Sequence, residues 1–129
     1  PRRVLGAFDI ARHPVNILEE LEVRDGDLVV HKTACDAFLG TTLDAVLTEN
    51  SIDELIVTGC ATDYCVDTTV RSALARGLRT VVPSDGHTTA DRPYLPATKI
   101  IEHHNAVWAD FIAPGGPARV CPCAEIPLN

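Results

Sequence analysis

The feature that most constrains this chain is the alternation of short apolar runs with longer helical periods. Leu28-Val29-Val30, Leu55-Ile56-Val57 and Thr80-Val81-Val82 are compact, β-rich and apolar on nearly every residue. Strands of that kind are buried on both faces, as in a parallel sheet covered by helices. Periodic segments separate them. Thr41 or Thr42 is placed to cap a helix bearing Leu43, Val46 and Leu47, with Asn50 as its stop. A helix from about Cys65 to Arg76 carries Val66, Val70 and Leu74 at i, i+4 spacing and ends at Gly77. Asp91 before Pro93 reads as the cap and first turn of a third helix. Its broad apolar face holds Ile100, Ile101, His104, Val107, Trp108 and Phe111. Arg119-Val120-Cys121 reads as a last short strand. The order predicts an α/β fold, three-layer α/β/α with a mainly parallel sheet, as one domain over residues 1–129.

Ligands of such sheets bind beyond the carboxyl ends of the strands. Three segments deliver chemically able groups there: Lys32, the loop from Gly59 to Cys65, and Asp85-Gly86-His87. Cys65 lies where a loop gives way to a helix. Free N–H groups and partial positive charge at a helix start stabilise a thiolate and can hold a developing oxyanion. A lysine directly after an apolar strand is unusual, and the predicted sheet aims Lys32 at the same edge. An ammonium beside a thiol favours the anion.

Composition narrows the partners. The 129 residues include 11 Lys and Arg against 18 Asp and Glu, a formal charge of −7. Such a surface repels phosphate backbones and anionic lipids, so neither nucleic acid nor a membrane is expected to bind. No apolar run approaches the roughly 20 residues of a bilayer span. Five cysteines at irregular spacing do not suggest a disulfide framework. They fit a reducing, cytoplasmic location, where one placed cysteine can serve as a nucleophile. Phe38, Tyr64 and His87 are candidates to line a substrate pocket. His103 and His104, like His87, read as core-capping or pocket residues rather than metal ligands. No metal and no cofactor is expected.

Thr58-Gly59-Cys60-Ala61-Thr62-Asp63-Tyr64-Cys65-Val66-Asp67-Thr68-Thr69 resembles the nucleophile motif of isochorismatase-like cysteine hydrolases. Ala61 to Val66 is especially similar to nicotinamidases. Lys32, followed by Asp36-Ala37-Phe38 and Gly40-Thr41-Thr42-Leu43, resembles the family's lysine segment. Asp85 to Asp91 and His103-His104-Asn105 resemble a subgroup that includes streptothricin hydrolase. The resemblance runs from about Asp25 to Ile126 and implies an isochorismatase-like, Rossmann-like fold.

It also implies an Asp, Lys and Cys triad that hydrolyses the amide of a small molecule through a thioester. Carried over, Cys65 is the nucleophile and Lys32 its partner. A cis peptide joins Cys60 to Ala61, and the N–H groups of Ala61 and Cys65 form an oxyanion hole. Family members begin with a strand ending in the catalytic Asp, then a helix and another strand. Only about 30 residues precede Lys32 here, so the chain reads as amino-terminally shortened. Asp9, at the end of Val4-Leu5-Gly6-Ala7-Phe8, is the candidate for the carboxylate. Other readings are an isochorismatase-type hydrolase without covalent catalysis, and an inactive member that serves as an oligomer subunit. The resembling proteins are usually homo-oligomers.

Overall fold

A computed structural model describes residues 4–10, 13–14 and 22–127, the first two stretches by their backbone. Among the described residues the order is β1 (Val4–Ile10), β2 (His13–Pro14), β3 (Leu28–Lys32), α1 (Leu43–Glu49), β4 (Glu54–Ile56) and β5 (Gly59–Cys60). A π-helical turn (Thr62–Val66) then runs into α2 (Asp67–Ala75). After it come β6 (Arg79–Pro83), β7 (His87–Thr88), α3 (Ala97–Ala109), β8 (Arg119–Cys121) and a short 3-10 turn (Cys123–Glu125).

The fold is three-layer α/β/α with mainly parallel strands. Hydrogen bonding divides the strands into ladders β2-β1-β3, β4-β6-β8 and β5-β7. Only β1–β2 is antiparallel among these pairs. Thr80, Val81, Val82 and Pro83 of β6 are all buried, as befits a strand with neighbours on both sides and helices above and below. β4 is at the ladder's edge and more open, with Ile56 43% exposed.

Two apolar cores hold these layers. The carboxyl core contains Val66, Val70, Leu74, Val82, Trp108 and Ala118. The amino core contains Val30, Phe38, Leu43, Leu47 and Ala73. α2 belongs to both: Val70 and Leu74 face one, Ala73 the other. Its end is a two-bond cap in which the N–H of Gly77 donates to Leu74 O and that of Leu78 to Ala73 O. Gly77 takes the left-handed conformation this cap needs, at φ 77°. Gly86 is required for a different reason. A Cβ there would lie 2.7 Å from that of Pro83.

Two local expectations are corrected. α3 does not begin at Asp91 and Pro93 but at Ala97, with Pro96 as its N-cap. A proline disfavours helical backbone in the residue before it, and two fall here. Residues 92–95 instead form a turn closed by an Arg92–Leu95 bridge. Asp91 still caps the helix from outside, accepting the Ala97 N–H at 2.8 Å. The expected cap of α1 holds: Thr42 is its N-cap, and the Thr41 hydroxyl accepts the Leu43 N–H. Cys65 is not at a helix start but four residues into the π turn.

Candidate active site

The two candidate groups meet. Lys32 ends β3, is only 8% exposed, and sends its ammonium across the carboxyl edge of the strands. Nζ lies 3.3 Å from Cys65 Sγ and donates to Ala34 O at 3.0 Å and Cys35 O at 3.4 Å. Val30, buried two residues earlier on the same face, anchors the strand in the amino core.

The loop after Lys32 lies along one face of the helix that carries Cys65. The Thr69 hydroxyl donates to Cys35 O at 3.3 Å and accepts the Ala37 N–H at 3.2 Å. One turn on, the Ser72 hydroxyl donates to Asp36 Oδ2 at 2.8 Å. Cys65, Thr69 and Ser72 thus form a row along which Cys35, Ala37 and Asp36 are pinned. The Cys35 thiol is pushed above its ordinary value by burial, then by the Cys65 sulfur beside it, against the opposing pull of Lys32.

The peptide between Cys60 and Ala61 is cis. Ala61 is extended, and its carbonyl accepts the N–H groups of both Tyr64 and Val66 at 3.1 Å. The bond to Val66 spans five residues and defines the π geometry, which recurs at functional sites.

Behind the turn is a neutral chain of hydrogen bonds. The Asn105 amide donates to Ser84 O at 3.1 Å, so its oxygen is the acceptor for His87 Nε2 at 2.9 Å. That assigns the His87 proton to Nε2 and leaves Nδ1 to accept the Thr62 hydroxyl at 2.9 Å. Burial, opposed by the Asn105 bond, holds the His87 imidazole below its ordinary pKa and so keeps it neutral. Its ring meets Trp108 edge-on at 5.1 Å. The Trp108 N–H in turn donates to Asp67 Oδ1 at 2.8 Å.

On the outer side Arg92 grips Asp63 with two nitrogens, the shortest contact 2.8 Å, while the Thr89 hydroxyl donates to the same carboxylate at 2.6 Å. Burial works against the charge on Asp63, but the Thr89 and Arg92 hydrogen bonds outweigh it and hold the carboxyl below its usual range. The Arg92 guanidinium also sits 5.1 Å from the ring centroid of exposed Tyr64.

Sequence reasoning about the pocket residues needs two corrections. Phe38 is buried in the amino core with the Arg76 guanidinium over its ring, so it lines no pocket. His87 is buried and has both ring nitrogens bonded within the protein, so it supports the turn rather than facing a substrate. Tyr64 is the pocket candidate with free surface. The Asp9 side chain lies outside the described residues. Asp9 is the penultimate residue of β1, one beyond Phe8, the parallel partner of Lys32. Thr62 and Asn105 entered the sequence reading only as members of quoted motifs, without a role, and Arg92 did not enter it. The described cysteines are free thiols. No helix among the described residues is long and apolar enough to cross a membrane.

Comparison with known proteins identifies the family and the fold. The isochorismatase domain matches residues 2–110. A streptothricin hydrolase of Streptomyces noursei is 46% identical over 93 residues, which is 70% of this chain and 36% of that protein. An N-carbamoylsarcosine amidase of Arthrobacter is 46% identical over 68 residues, 53% of this chain and 25% of the other. The chain therefore spans only 25–36% of the length of these two relatives. Among solved structures, an isochorismatase of Pseudomonas putida superposes with a TM-score of 0.85 at 28% identity, covering 96% of this chain and 68% of the other. With this domain spanning most of its length, the chain belongs to the isochorismatase family.

Proposed function

We propose that this chain carries the nucleophile of a small-molecule amide hydrolase, with Cys65 attacking and Lys32 as its cationic partner. The observation that carries the reading is the 3.3 Å contact between Lys32 Nζ and Cys65 Sγ, which joins two segments far apart in sequence. Relatives named as hydrolases and amidases support the amide as the bond cleaved.

The ammonium stabilises the Cys65 thiolate, which adds to the amide carbonyl. Negative charge then develops on the carbonyl oxygen, and the N–H groups of Ala61 and Cys65 are proposed to receive it. Collapse expels the amine and leaves a thioester, which water hydrolyses. Asp9 is proposed as the group that accepts the thiol proton and returns it to the leaving amine. The β1–β3 register supports it by bringing Asp9 to the same edge as Lys32.

Competitive labelling with iodoacetamide below neutral pH tests the proposal. Cys65 is expected to alkylate well ahead of Cys35 and Cys121. Equal, slow labelling of all five thiols removes the nucleophile and favours an inactive subunit. A mass increment trapped on Cys65 during turnover of a small amide identifies the thioester.

A further inference from the structure

We propose that Cys35 and Cys65 form an oxidisable pair, in which hydroperoxide oxidation of Cys65 is captured by Cys35 as a disulfide that withdraws the nucleophile reversibly. The proposal goes beyond amide hydrolysis and rests on Cys65 being the reactive thiol.

Placement carries it. The Lys32 ammonium touches both residues, at Cys65 Sγ and at Cys35 O. Cys35 does not reach the site by accident of a loose loop. Thr69, four residues after Cys65 on the same helical face, holds the Cys35 carbonyl, and the next residues are tied by Ala37 to Thr69 and by Asp36 to Ser72. One ammonium therefore bridges the Cys65 sulfur, at 3.3 Å, and the backbone of Cys35, at 3.4 Å, and the neighbouring Cys65 sulfur helps to raise the Cys35 thiol above its ordinary value, after burial. Among the five free cysteines this pair is placed apart from Cys121, which is buried beside β6 in the carboxyl half.

The two sulfurs have different roles. Cys65, with the ammonium against it, is the one to react first. Its thiolate attacks a hydroperoxide oxygen, an S–O bond forms, and the O–O bond breaks. The departing oxygen takes a proton, leaving a sulfenic acid. Cys35, which keeps its proton in the resting site, then attacks the Cys65 sulfur. The S–S bond forms, the S–O bond breaks, and the hydroxyl departs with the Cys35 proton as water. Two thiols supply two electrons and one hydroperoxide is reduced. Without Cys35, the sulfenic acid at Cys65 would be open to further, irreversible oxidation.

The test needs no substrate. The reduced chain is treated with hydrogen peroxide and mapped by non-reducing peptide mass spectrometry. The expected result is a Cys35–Cys65 linked peptide and a fall in titratable thiols from five to three, reversed by dithiothreitol. Cys35→Ala, with Cys35→Ser as a second variant should the first fold poorly, is expected to yield no linked peptide and to accumulate sulfinic acid at Cys65 that dithiothreitol does not reverse. Linkage of other cysteines overturns the pairing, as does wild-type Cys65 advancing to sulfinic acid as fast as in the variants. Iodoacetamide labelling of the reduced wild type distinguishes the failures. Fast labelling without a disulfide sinks the pair alone; slow labelling sinks the nucleophile as well.

Discussion

The two halves of the site are held by different means. Cys65 belongs to a turn backed by a polar network: Thr62, His87 and Asn105 satisfy one another, and Trp108 ties them to the carboxyl core. Lys32 belongs to a strand fixed mainly by apolar burial of Val30 in the amino core. A network of paired donors and acceptors permits one arrangement, because any other leaves a buried group unsatisfied. Apolar packing is less directional. The nucleophile is therefore set by bond geometry. Its cation reaches it on a long, adaptable side chain whose last position is fixed by backbone carbonyls.

The largest expected effect of breaking this comparison is on the chemistry itself. Cys65→Ser should lower amide hydrolysis by at least about 10³-fold. Stability should stay within about 1–2 kcal/mol of wild type by urea unfolding, because the change is small. Retained activity would remove Cys65 from the mechanism. Next, Trp108→Ala should destabilise the fold by about 3–5 kcal/mol and slow Cys65 labelling. Leu47→Ala in the amino core should cost about 2–5 kcal/mol with less effect on labelling of the molecules that remain folded. Equal slowing would show that the two cores do not act separately.

Lys32→Ala should slow both acylation and iodoacetamide labelling at neutral pH, on the order of 10²-fold. An unchanged labelling profile would refute its role. Thr62→Val should cost about 1–3 kcal/mol, since it leaves His87 Nδ1 buried without a donor. The smallest effect is a pH dependence. Burial holds the His87 value in the folded protein below the ordinary 6.5. As pH falls through that ordinary value, the unfolded chain takes up the proton before the folded one does. Stability therefore declines from about pH 6.5 downward, with a slope of at most about 1.4 kcal/mol per pH unit. His87→Gln should flatten that part of the urea-midpoint profile. An unchanged slope would show that His87 is not the titrating group.

Apolar periodicity made the layers legible. β3, β4, β6 and β8 fall on the runs expected of them, but only β6 is buried along nearly its whole length; in β3 and β4 the apolar run exceeds the burial, with Val29 40% and Ile56 43% exposed. Lys32 and Cys65 were legible for a related reason: a charge closing one strand and a thiol just beyond another converge once the strands are parallel. What escaped was set by tertiary context. The two-residue β5–β7 pairing has no periodicity to display. His87 looks the same in sequence whether it faces a substrate or stitches a turn. Its role became visible only when Asn105, eighteen residues on, came within bonding distance. Phe38 misled because an aromatic near a lysine segment suits a pocket and a core equally. The delayed start of α3 follows from Pro96, whose restriction on the residue before it overrides the cap signal at Asp91.

The π turn sets a phase relationship as well as a local shape. One residue of α-helix advances the side-chain direction by about 100°, and a π turn accommodates one residue more than an α turn. Deleting a single residue from Thr62–Val66 would relax the segment to ordinary helix and swing the sulfur around the axis, away from the ammonium. Thr69 and Ser72 would keep their grip on the neighbouring loop. Catalytic alignment here is thus a matter of rotational timing, so a one-residue indel should silence the chemistry while leaving the architecture standing.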